Sequence, residues 1–178
     1  PVADGESVTF AEARKALVAK TGENVQLRRI GFVEANFVGS YVHGNRIAVL
    51  VGLDKHMPDL ARDIAMHIAA TNPSALDRDS MDQQALADEK AIYTAQAKES
   101  GKPANIVEKM VEGRIEKFLK ESCLLSQPFV KDPDTTVADL LNAGGASIMG
   151  YLRYELGDGI EKEVVDFATE VQAQIKDA

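Results

Sequence analysis

The sequence predicts an α+β fold: an antiparallel sheet packed with helices, carrying an inserted antiparallel helical hairpin and followed by a C-terminal helix. Three observations carry this. Two apolar runs, FVGSYVHG and RIAVLVGL, meet at Gly44-Asn45, a pair suited to the positive φ angles of a tight two-residue β-hairpin. Two long helical runs, DQQALADEKAIYTAQAKE and ANIVEKMVEGRIEKFLKE, are separated only by Ser-Gly-Lys-Pro. Segments of helical periodicity lie on both sides of these features.

The elements follow in order. Thr9 with Glu12 three residues on makes a capping box, and Phe10, Ala13 and Leu17 recur at helical spacing until Gly22 stops the run, so a helix is expected at 10–21. VQLRRIGFVE alternates and predicts a strand at 25–34. In RIAVLVGL, Ile47, Val49 and Val51 point one way while Ala48 and Leu50 point the other, the pattern of a central strand covered on both faces. A helix at about 58–70 turns Met57, Leu60, Ala61, Ile64, Ala65 and Ile68 to the core, and Asn72-Pro73 ends it. In the helical hairpin, Gly101 closes the first arm and Pro103 opens the second. Its apolar stripes are thin: Leu86, Tyr93 and Ala97 on one arm, Val107, Met110, Arg114 and Phe118 on the other. That is too little for a core, so the hairpin is expected to project. A loop around Gln127-Pro128, a short helix at 136–142, a strand at about 146–156 and a last helix with Val164, Ala168, Val171 and Ile175 on one face complete the reading.

Composition narrows the function. With 178 residues, 45% hydrophobic and 27% charged, the chain is long enough to bury a sizeable core. A formal charge of −8 and a pI near 4.9 disfavour nucleic acid and anionic lipid, and suit a protein partner with basic patches. The single cysteine, Cys123, excludes an internal disulfide and fits a reducing compartment. No apolar stretch approaches a membrane span and no signal peptide is visible, so a soluble, cytoplasmic protein is expected. The chain opens with Pro1 and a loop-like PVADGES, which suggests a processed or truncated start.

A search for chemistry finds no site. AGGASIMG lacks the lysine of a phosphate loop and the glycine spacing of a dinucleotide fingerprint. DRDSMD at 77–82 lacks the sixth-position glycine and twelfth-position glutamate of a calcium loop, so a solvated helix lead-in is the better reading. Cys123 precedes two leucines and reads as a small buried hydrophobe. His67, four residues after Asp63, reads as a helix-surface ion pair or a packed edge, and His56 in its charged loop has no partner pattern. His43 has two readings: a turn residue whose ring bonds nearby backbone, or a contact residue. No metal, cofactor or catalytic residue is expected.

Six segments carry a resemblance: ALVAKTGENVQLRR, GSYVHGNRIAVLV, DIAMHIAATNP, SGKPANIVEKMVEGR, QPFVKDP and RYELGDGIEK. In order and spacing they resemble the core and C-terminal part of the elongation factor Ts family, over nearly the whole chain and as far as that family's C-terminus. The resemblance implies a remnant of a first core lobe at 1–36, a second lobe at 37–81 and 123–159, a coiled-coil hairpin at 82–122 and a C-terminal helical module at 160–178. It also implies a non-catalytic guanine-nucleotide exchange factor whose partner is the GTPase elongation factor Tu. Carried over by position, the partner-binding residues are Thr21 and Gly22 at a helix end, His43 and Gly44 in the hairpin turn, and Val130 and Lys131 after Gln-Pro-Phe, with the C-terminal helix at 161–177 embracing the nucleotide domain. On this resemblance His43 is a contact residue.

One departure matters. Family members begin with a small helical domain and carry a Thr-Asp-Phe-Val motif whose Asp-Phe pair reaches toward the magnesium and nucleotide of the GTPase; neither is present here. The expectation is therefore a docking fragment of an exchange factor. The competing reading is a module that binds and stabilises the GTPase without exchange activity. Self-association through the helical hairpin, with its thin stripe flanked by Glu and Lys, is a further expectation.

Overall fold

The structure, a computed structural model, describes residues 7–159. The chain divides into two compact units, with the boundary between Phe32 and Val33.

In the first unit the expected helix is present as α1 (Phe10–Thr21). The Glu12 carboxylate accepts from the Thr9 N–H at 2.8 Å, and the Thr9 hydroxyl accepts from the Glu12 N–H at 3.3 Å, so each satisfies a donor the first helical turn leaves free. Gly22, at φ 74°, ends the helix and returns its N–H to the Val18 carbonyl. The strand expected at 25–34 is not formed. Alternation can supply the faces of a strand but not the neighbour that its N–H and C=O groups require, and no described strand pairs with these residues.

The second unit contains strands β1 (Phe37–His43), β2 (Ile47–Leu53), β3 (Pro128–Phe129), β4 (Asp132–Thr136) and β5 (Ile148–Glu155). Its helices are α2 (Pro58–Thr71), α3 (Gln83–Glu99), α4 (Ala104–Ser122) and α5 (Val137–Gly144). The main sheet is antiparallel in the order β1-β2-β5, so β2 is central as expected. Val49, Val51 and Leu53 are buried on one face, and the opposite face is covered in part: Ala48 is exposed, Leu50 is half-buried and Gly52 is buried beneath Val33 and Ala35. The packed face lies under α2, whose Ala61, Ile64, Ala65 and Ile68 form the core with Leu124, Val137 and Leu141. Gly39 permits this contact. A Cβ there would sit 2.5 Å from the Ala61 Cβ, far inside van der Waals distance, so β1 and α2 approach closely only because position 39 has no side chain.

Helices α3 and α4 pack against one another across a turn in which Gly101 takes φ 66°. They are better supplied with apolar surface than the sequence suggests. Ala97, Val111, Ile115 and Leu119 are buried with Ala75, Met81 and Cys123 in a second cluster. On α4 the fully buried residues are Val111, Ile115 and Leu119; of the expected Val107, Met110, Arg114 and Phe118, Val107 and Phe118 pack half-buried against them and Arg114 is exposed. Arg114 instead crosses to α3, donating to the Gln96 Oε1 at 2.6 Å with its guanidinium 5.7 Å from the Tyr93 ring centroid. At the base of the pair, Leu124 and Leu125 N–H groups donate to the Ala75 and Leu76 carbonyls, tying the chain before α3 to the chain after α4. The last predicted helix lies outside the described residues.

Candidate functional site

Two β-turns of the second unit carry the expected contact residues. The first joins β1 to β2. Gly44 and Asn45 both take positive φ, 53° and 56°, as predicted, but Arg46 is also part of the loop, which therefore holds three residues and not two. The Arg46 N–H donates back to the His43 carbonyl at 3.0 Å and closes it. His43 is the last residue of β1 and is exposed. Its Nδ1 lies 3.1 Å from the hydroxyl of Tyr41, two residues back on the same face of the strand. The ring is thus held by a side chain and not by the backbone, and among the described residues its Nε2 makes no hydrogen bond.

The second turn, Val130-Lys131, is the two-residue connection between β3 and β4, with Phe129 paired to Asp132. Val130 is 45% exposed, whereas Phe129 before it is buried against the His67 ring, 5.9 Å between centroids. His67 is fully buried, so of its two expected settings the packed one holds and the helix-surface ion pair is corrected: Asp63 pairs with Lys131, not with His67. The imidazole uses both nitrogens. Nδ1 accepts the Val130 N–H at 3.3 Å, which leaves the proton on Nε2, and Nε2 lies 2.8 Å from the Gln127 Oε1 as its donor. Burial holds the imidazole below its ordinary pKa, against a smaller upward pull from the Gln127 bond. Gln127, itself buried, donates to the Glu121 carbonyl at 2.6 Å. Every polar atom of the pair has a partner, which is what burying it requires.

Thr21 and Gly22 form the C-terminal end of α1 in the first unit. The Thr21 hydroxyl donates to the Leu17 carbonyl at 3.0 Å and accepts the Glu23 N–H at 3.3 Å, which fixes this helix end.

No catalytic arrangement emerges among the described residues. Burial pushes the Cys123 thiol above its usual range, the wrong direction for a nucleophile. An open groove of about 660 Å³ beside it is lined by Arg78, Glu116, Lys117 and Lys120, with Glu116 paired to Arg78 at 2.8 Å. Asp77 of the DRDSMD segment binds the Ser80 N–H and hydroxyl in a local turn, and no cluster of His, Cys, Asp and Glu capable of holding a metal occurs among the described residues. His56 packs edge-on against Phe37, centroids 4.6 Å apart.

The family model described as Elongation factor TS matches residues 2–158. The chain belongs to the elongation factor Ts family. It is similar to the elongation factor Ts of Hahella chejuensis (strain KCTC 2396), 57% identical over 93% of this chain and 58% of that protein. Similar relatives include those of Pseudomonas aeruginosa (strain LESB58), 55% identical over 92% of this chain and 57% of the relative, and Francisella tularensis subsp. novicida (strain U112), 53% identical over 93% and 57%. The chain thus spans under three-fifths of the length of these curated elongation factor Ts proteins.

The residue that sequence reasoning misses is Gln127, with its partner His67. The sequence places Gln127 only in a loop. The one available signal was a polar pair with no solvated pattern around it: His67 inside an apolar helix and Gln127 ahead of Pro-Phe.

Proposed function

We propose that this chain docks on elongation factor Tu and promotes release of its GDP, as the docking part of an elongation factor Ts. The observation that carries the reading is its membership of the elongation factor Ts family, with identities of 53–57% to the relatives named above. The two exposed turns, His43-Gly44 and Val130-Lys131, are the contact surface of the second unit, and Thr21-Gly22 that of the first. Exchange needs no catalytic side chain. A factor that binds the nucleotide-free GTPase more tightly than the nucleotide-bound form weakens nucleotide binding by the same ratio, and a coupling of about 3 kcal/mol corresponds to roughly 150-fold. The site of action is the cytoplasm, where the GTPase works.

Calorimetric titration of elongation factor Tu with the chain tests the contact surface. We expect saturable binding, and His43→Ala to weaken it about tenfold, the effect of one interfacial anchor worth somewhat over 1 kcal/mol. Unchanged affinity in His43→Ala would remove this turn from the interface, and absence of binding by the parent chain would reject docking altogether.

A further inference from the structure

We propose that Asp63, His67 and Thr71 of α2 form a polar ladder that sets the position of the Val130-Lys131 turn for docking; the inference rests on the docking reading above. The three residues are spaced four apart and therefore stand one above another on a single helix face. Each holds a different residue of one short segment. Asp63 Oδ1 takes the Lys131 ammonium at 2.6 Å, His67 Nδ1 takes the Val130 N–H, and the Thr71 hydroxyl, whose one proton is shared between the His67 carbonyl at 3.0 Å and the Gln127 Oε1 at 2.9 Å, stands beside the oxygen that accepts from His67. The order along the helix is reversed along the segment: 63, 67 and 71 meet 131, 130 and 127.

Such a device is needed because the turn cannot hold itself. Strand β3 has two residues and meets β4 through two register pairs, with an irregularity between Pro128 and Phe129. Two-stranded pairs of ordinary length are already marginal in water, and this one is shorter. Ordering the turn beforehand removes an entropic cost from association, so the ladder acts on affinity although His67 itself is buried and touches no partner. Asp63 and Lys131 are paired with each other across the turn.

Two substitutions at one position separate positioning from plain packing. An Asn side chain can place its oxygen near the Nδ1 position and keep the acceptor for Val130. A Gln side chain can place its amide near Nε2 and keep the donor to Gln127, but it loses that acceptor. Hydrogen exchange at the Val130 amide and calorimetric titration with elongation factor Tu are read together on the full chain. We expect His67→Gln to speed exchange at Val130 about tenfold and to weaken binding several-fold. His67→Asn should stay near the parent in both, even if each variant loses similar thermal stability.

Equal losses in the two variants, following only their stability, would overturn the ladder and leave His67 a core residue. Asp63→Ala, at the solvent edge, supplies an arm that does not depend on core packing. It should weaken binding in parent-like folded protein, and unchanged affinity there would count against positioning of Lys131. Val130→Ala and Lys131→Ala test the underlying reading. If both bind as the parent does while the Val130 amide still responds to His67→Gln, the ladder holds the turn but the turn does not dock, and the docking role is overturned.

Discussion

His67 titrates against its burial, and this gives stability a pH dependence with a definite sign. An unfolded histidine titrates near pH 6.5, whereas burial lowers the value in the folded chain. Above about pH 6.5 the residue is neutral in both states. As pH falls below that value the unfolded chain takes up a proton that the folded chain refuses, so stability is lost until the folded value is passed. Protonation would also place a second N–H against the Val130 donor. Thermal unfolding of the parent and of His67→Asn at pH 7.5 and 5.5 measures this directly: the parent's advantage should narrow at the lower pH, and a constant gap would contradict it. None of this was legible from the residue's surroundings in the chain, because its partners lie 60 and 63 positions away. Cys123 was legible, since its apolar neighbours share its burial. So was the Gly44-Asn45 turn, whose backbone requirement is local.

Elements with local punctuation could be read from the sequence, and elements held by distant partners could not. The capping box at Thr9 and the stops at Gly22 and Asn72-Pro73 place α1 and α2 within a residue of their observed limits. Strand β4, Asp132–Thr136, is written in residues typical of turns and exists because β3 lies beside it. Of the expected α4 stripe, Val107 and Phe118 do pack at the edge of the contact, but its buried centre is Val111, Ile115 and Leu119. This stripe holds α3, of which only Ala97 is buried. Leu119→Ala should destabilise the helical pair by about 2–5 kcal/mol, the usual cost of such a truncation in a packed site. Amide exchange in α3 should rise with it, and unchanged protection there would show that α3 does not depend on α4.

At the scale of the molecule, family membership and an α+β fold agree with what the six sequence segments implied, whereas the activity depends on how docking couples to nucleotide. A docked chain accelerates GDP release only if it binds the nucleotide-free GTPase better than the GDP complex. The turns at His43-Gly44 and Val130-Lys131 supply the means of docking on this account, and the difference in affinity supplies the exchange. The measurement that tests it most directly is release of labelled GDP from elongation factor Tu as the concentration of this chain is raised. We expect a release rate that climbs above the spontaneous one and saturates over the concentrations at which calorimetry shows binding. Release that stays at the spontaneous rate while the GTPase is saturated with the chain would contradict it and leave a holding module.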